Sequence, residues 1–203
     1  SDPKTLAIAK DALSYVESYS YRDLLEGIPI HDEQGTRERP YELTVVFGKY
    51  PVDLALASLG RKPWLAKRPR LIVILAVRLN ETRYLLSSDG MHGRTQRESL
   101  DAVSWQAGMP VALPDEAALA AAGVTVDNVL DSKAQALAVA AGGDVPLLGT
   151  LEWSQGTLGW RATWRLAAGG DDHSWSIRDV NFDDAFRNGL RGAAQILSGN
   201  GAP

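Results

Sequence analysis

The sequence predicts an α/β protein, α+β overall: a small amino-terminal unit, then a larger domain with a three-layer mixed sheet that ends in an antiparallel meander. Three observations carry this expectation. From Leu147 to Ile177 the chain reads as three consecutive strands that place four of its six tryptophans on one face. Leu71-Ile72-Val73-Ile74-Leu75-Ala76-Val77 is a continuous apolar run of strand length, as expected of a central strand buried on both faces. Between these segments helical periodicities alternate with strands, which argues for a sheet covered by helices.

In chain order, Leu6, Ala9, Leu13 and Val16 mark an amphipathic helix, followed by an expected strand from Ser18 to about Leu25 and another from Tyr41 to Phe47. His31 to Pro40 is a polar loop. Pro51 suits the first turn of a helix that contains Val52, Leu54, Leu56 and Leu59, and Gly60 can end it. Two strands are a thin sheet, and an isolated hairpin is marginally stable, so at least one further strand is expected upstream. Arg61 to Arg70 holds five positive charges and two prolines, the composition of a connector or of a basic docking strip for an acidic partner or anionic lipid. The expected boundary falls there, with a small unit over 1–62 and a mixed domain over 63–203.

In the second domain, a helix is expected from about Thr95 to Ala107, with Leu100, Val103 and Ala107 inward, then a short parallel strand from Met109 to Leu113 that Pro114 ends. Asp115 caps a short alanine-rich helix, a loop passes Val124 to Asp131, and a helix from Ser132 to Ala141 leads through Gly142-Gly143 into a strand from Val145 to Trp153. Leu158, Trp160, Ala162, Trp164 and Leu166 alternate with Gly159, Arg161, Thr163 and Arg165, so one face is dry and the other wet. A two-residue turn at Gln155-Gly156 would set Trp153 opposite Leu158 and Leu151 opposite Trp160. A second turn through Ala168-Gly169-Gly170-Asp171 sets Trp164 opposite Trp175 and Ala162 opposite Ile177. After the meander, Asn181 or Asp179 caps a helix in which Phe182, Phe186, Leu190, Ala193 and Leu197 recur, and this helix covers the tryptophan face. The tryptophans are therefore read as core rather than as a platform for sugars or bases.

Composition narrows the chemistry. The 203 residues, 45% hydrophobic and 23% charged, suit one ordinary domain or two small ones, and a net charge of −4 gives no electrostatic reason to expect nucleic acid. No cysteine is present, which excludes disulfides, thiol catalysis and zinc-thiolate sites. No apolar run approaches the roughly 18 residues of a membrane span, the longest being Leu71 to Val77. The chain begins at Ser1 without methionine, so its start reads as a processed or engineered end, and any targeting segment would have been removed with whatever preceded it.

Candidate sites are few. His31, His92 and His173 are far apart, and none has a second ligand at helical spacing, so no metal or cofactor is expected. Asp171-Asp172-His173 reads as turn chemistry. Ser87-Ser88-Asp89-Gly90-Met91-His92-Gly93 follows a strand and precedes a helix, a position at which open α/β sheets often bind ligands, and the helix start offers N–H groups to an anion. Its glycines lack dinucleotide or P-loop spacing, and its serines form no nucleophile elbow. The expected binding residues are Trp64, Ser87, Ser88, His92 and Arg94, with no catalytic residue assigned. A hydrolase or small-molecule site would need Ser87, Ser88, His92 and nearby carboxylates to converge.

The succession Lys62-Pro63-Trp64, Arg68-Pro69, the Leu71 to Val77 strand, Leu148-Gly149-Thr150-Leu151, Gly159-Trp160 to Trp164 and Trp175 resembles an uncharacterised family of bacterial secreted proteins, known only as domain of unknown function two-zero-six-six. Tyr19-Ser20-Tyr21-Arg22 and the stretch from Val46-Phe47 to Leu59 also fit its pattern. The resemblance implies a periplasmic or secreted setting, and a full-length protein with a signal peptide and an earlier strand and helix. The element order of the second domain is similar to the amino-terminal domain of TolB and of envelope lipoproteins that activate penicillin-binding proteins, which are interaction modules. The expected function is therefore a non-enzymatic envelope binding or adaptor module, its partner another envelope protein. The alternative is a small-molecule-binding protein or hydrolase using the Ser87 to Arg94 loop.

Overall fold

Seven consecutive apolar side chains can all leave water only if both faces of their strand are covered. In a computed structural model of the protein, Leu71 to Val77 are each fully buried. The structure describes residues 3–29, 31–32, 35–36, 38–131, 134–201 and 203. The chain divides into two units, Ser1–Leu65 and Ala66–Pro203.

The first unit opens with helix α1 (Pro3–Lys10), stops in a 3-10 turn (Ala12–Tyr15), and enters strand β1 (Val16–Asp23). The expected helix therefore ends before Leu13, and Val16 belongs to the strand. Short strands β2 (His31–Asp32) and β3 (Gly35–Thr36) pair inside the expected loop, whose residues 33, 34 and 37 lie outside the described residues. Strand β4 (Tyr41–Phe47) pairs antiparallel with β1, setting Tyr21 opposite Leu43 and Tyr19 opposite Val45. Helix α2 (Lys49–Ser58) ends as expected at Gly60. The left-handed Gly60 (φ +67°) lets its own N–H reach Ala57 O at 2.9 Å and lets the Arg61 N–H reach Leu56 O at 2.9 Å.

The second unit is built on β5 (Leu71–Leu79), with β6 (Thr82–Leu86) antiparallel beside its later half. Helix α3 (Arg94–Ala107) follows, then β7 (Val111–Ala112), parallel to β5 at Leu71 and Ile72. Helices α4 (Glu116–Ala121) and α5 (Gln135–Ala140) lead to β8 (Val145–Ser154), parallel to β5. Asp115 caps α4 as expected, its Oδ1 accepting from the Ala118 N–H at 2.7 Å. Ser132, where the helix expected to run to Ala141 begins, lies outside the described residues. Strands β9 (Gly159–Ala168) and β10 (Asp171–Val180) complete the meander, and α6 (Phe182–Leu197) closes the chain. The sheet order is β10-β9-β8-β5-β6, with β7 also on β5.

Three layers result, because the two faces of β5 point into different cores. Ile72, Ile74 and Ala76 pack with Leu119, Val129, Leu137 and Leu148 under α4 and α5. The alternate residues face the tryptophan side, where Leu75 and Gly149 meet Trp164 beneath α6. A β-carbon added at Gly189 would lie 2.5 Å from the Trp164 ring, and one at Gly192 would lie 2.5 Å from that of Trp175. Glycine at these two helix positions is what lets α6 descend onto the indoles. Asn181 caps α6, its Oδ1 accepting from the Asp184 N–H at 2.8 Å, so Asn181 rather than Asp179 performs this role.

The second turn of the meander has the expected register, with Trp164 opposite Trp175 and Ala162 opposite Ile177. The first does not. Trp153 stands opposite Trp160 and Leu151 opposite Ala162, because residues 155–158 all belong to the connection. Leu158 adopts φ +51° there, a conformation that bulky side chains rarely adopt. A shift of two residues preserves which face each side chain takes, so the tryptophan face survives the correction. Trp153 and Trp160 become an edge-to-face pair with centroids 5.4 Å apart.

Candidate functional site

Strand β6 sets the start of the Ser87 to Arg94 loop. Leu86 stands opposite Leu75, midway along β5, while β7 occupies the same side of β5 at Leu71 and Ile72. Ser87 thus leaves the sheet where two half-strands meet end to end, and the Ser88 N–H donates to Pro114 O at 2.9 Å across that junction. Open sheets collect ligands outside the carboxyl ends of parallel strands. Because β6 runs antiparallel to β5, this loop starts from the side of the sheet instead.

The loop is laced from within. The Arg97 guanidinium donates to Ser87 O at 3.2 Å and to His92 O at 2.7 Å, and Asp89 Oδ1 accepts from the Glu116 N–H at 3.0 Å. Gly93, at φ +79°, lies close over Leu86 and Tyr84, where a β-carbon would come within 2.4 Å of Leu86 Cδ1. Arg97 is the residue that sequence reasoning missed; its only signal was a cation one turn into the helix that follows the loop.

The named residues take different places. Ser87 is 1% exposed, and its hydroxyl makes no hydrogen bond among the described residues. A β-carbon at Gly90 would sit 2.4 Å from Ser87 Oγ and 2.9 Å from Glu116 Oε1, so hydroxyl and carboxylate flank one small niche. Ser88 is exposed. The exposed His92 ring leans on Tyr84 with centroids 5.3 Å apart, and no described hydroxyl or carboxylate hydrogen-bonds it. Burial raises the Tyr84 phenol above its ordinary value, so it stays protonated at neutral pH. Arg94 is exposed and pairs with Glu98 at 2.9 Å. Trp64 is half-buried in the irregular segment that ends the first unit, whereas the other four belong to the second.

The loop offers a helix start without a first-turn acid and a buried hydroxyl beside a carboxylate. Among the described residues, Ser87, Ser88 and His92 do not join a carboxylate in the hydrogen-bonded relay that activates a serine nucleophile. No group of His, Asp and Glu that could hold a metal occurs among the described residues, and no helix among them is long and apolar enough to cross a membrane.

The first unit presents a second candidate surface. Outside residues 32–37, none of its described residues is buried. Pairing puts Tyr19, Tyr21, Leu43 and Val45 on one face of the β1–β4 hairpin, with Tyr41 beside Asp23 at its end. Tyr19 and Tyr21 are 68% and 64% exposed, and their rings meet edge to face at 6.0 Å. Behind Phe47, a groove of about 290 Å³ lined by Ile8, Tyr15, Val52 and Leu56 is almost wholly apolar. Contiguous exposed apolar surface of this kind marks interaction sites on proteins.

No protein-family model, curated protein or solved structure matches this chain.

Proposed function

We propose that the protein is a non-enzymatic binding or adaptor module of the bacterial cell envelope, periplasmic or secreted, whose partner is another envelope protein. The observation that carries the reading is the first unit, where no described residue outside 32–37 is buried and the tyrosine face of the hairpin stands open. Burying such a face on a partner supplies hydrophobic stabilisation that the unit does not supply for itself. The likeness of the second unit's element order to interaction modules of the envelope supports the same reading.

A photo-crosslinker placed at Tyr21, and separately at Trp64 and His92, in bacteria that make the full-length protein tests it. A reproducible protein adduct from Tyr21 or Trp64 is the expected result. Absence of adducts at all three positions, with a small molecule retained on purification, would replace it with the second reading. That reading, a small-molecule-binding protein or hydrolase at the Ser87 to Arg94 loop, is favoured by one observation, the buried Ser87 hydroxyl beside Gly90 and Glu116.

A further inference from the structure

Among the described residues no strand pairs with the outer edge of β10, the terminal strand of its sheet. Open edges template the addition of another strand, and natural proteins blunt them with charges and bulges. Here the defences sit at the ends: Asp171 and Asp172 at one, and Arg178, Asp179 and a bulge between Ile177 and Val180 at the other. From His173 to Ile177 the edge carries no Asp, Glu, Lys or Arg.

Beside this edge runs a groove of about 410 Å³. One wall is Ile177 and Val180 of β10, and the other is the face of α6 that carries Arg187, Asn188 and Arg191. Pro203 also borders it. The walls are held in place from beneath, because the Trp175 indole N–H donates to Asn188 O at 3.3 Å and Gly192 rests on the same ring. Charge selects the occupant. Asp184, the one acidic side chain on the lining, is engaged by Arg187 and by Asn181 at 3.0 Å, whereas the exposed Arg191 makes no ion pair among the described residues.

We infer that the groove binds an extended acidic segment of a partner protein, which adds as a strand to the open edge of β10 and directs a carboxylate to Arg191. Main-chain hydrogen bonds supply affinity in this mode, and side-chain pockets supply selectivity. The inference names a surface on the second unit for the adaptor reading, and the crosslinks at the first unit test that reading separately.

Fluorescence anisotropy of a short labelled peptide alternating valine and glutamate tests it. The expected results are saturable binding at least about fivefold tighter than that of the valine-lysine peptide, and a reversal of this preference in Arg191→Glu. A version of the acidic peptide N-methylated at alternate residues should lose binding, because it cannot complete a strand ladder. Arg191 is exposed, and unchanged circular dichroism of the variant confirms its fold. Binding that survives N-methylation, a preference unchanged by Arg191→Glu, or no binding by the acidic peptide would each overturn the inference. So would a β10-mediated dimer of this chain in ultracentrifugation that the acidic peptide fails to compete away.

Discussion

The two units use similar apolar residues to opposite ends. In the second, seven successive side chains of β5 are fully buried, and Trp164 and Phe186 are 1% and 0% exposed beneath α6. In the first, Tyr19, Tyr21, Tyr41 and Leu43 all remain more than half exposed, and no described residue outside 32–37 is buried. Hydrophobic content alone does not make a core. A central strand with neighbours on both sides and helices on both faces can dry its side chains, whereas a two-stranded ribbon leaves them wet.

The largest perturbation should come from the drier unit. Trp164→Ala is expected to cost about 3–5 kcal/mol, read as a loss of the denaturant midpoint followed by probes in the second unit. Gly189→Ala comes next. Its added carbon meets the Trp164 ring at 2.5–2.9 Å, and a fully packed indole cannot give way. Overpacking of about 1–3 kcal/mol therefore equals or exceeds alanine's helix-propensity gain of about 1 kcal/mol, and a net loss of up to about 2 kcal/mol is expected in the same experiment. Asn181→Ala removes the cap of α6 and should cost about 1 kcal/mol. At the bottom of the series, Tyr21→Ser in the first unit should change the second unit's midpoint by no more than about 0.5 kcal/mol. A Tyr21→Ser effect as large as that of Trp164→Ala would erase the contrast between the units.

A titration sharpens the contrast further. The Arg165 guanidinium, hydrogen-bonded to both Asp172 oxygens, holds that carboxyl below its usual range although burial acts in the opposite direction. Because the folded value lies below the unfolded one, the pair stabilises the fold above the ordinary carboxyl range, and this is lost as pH falls through the folded value. Both partners are substantially exposed, so the effect is small. Arg165→Gln should lower the neutral plateau of the second unit's stability profile slightly, leave its acid end unchanged, and so flatten the acid limb by the same small amount.

How much of this was legible in sequence depended on whether local rules acted alone. The buried strand was legible because a continuous apolar run leaves few alternatives. The Trp164 to Trp175 register was legible because Gly169 and Gly170, at φ +64° and +92°, supply the turn that glycine pairs favour. The neighbouring hairpin was misplaced by two residues because Leu158 takes a left-handed conformation that no turn preference anticipates. At the candidate loop, residue types were visible but their roles were not. Ser87 is buried by the end-to-end meeting of β6 and β7, and Arg97 laces the loop from a helix that periodicity showed only as an amphipathic face. Both depend on tertiary placement, and so does the open edge of β10.

The central claim is that the first unit lacks a core of its own while the second is complete, and backbone amide exchange on the purified chain tests it most directly. Slow exchange follows burial and cooperative opening. The account predicts that amides of Ile72 to Val77 exchange orders of magnitude more slowly than those of Tyr19 to Arg22 and Leu43 to Val46. Equal protection of the hairpin and β5 would contradict it.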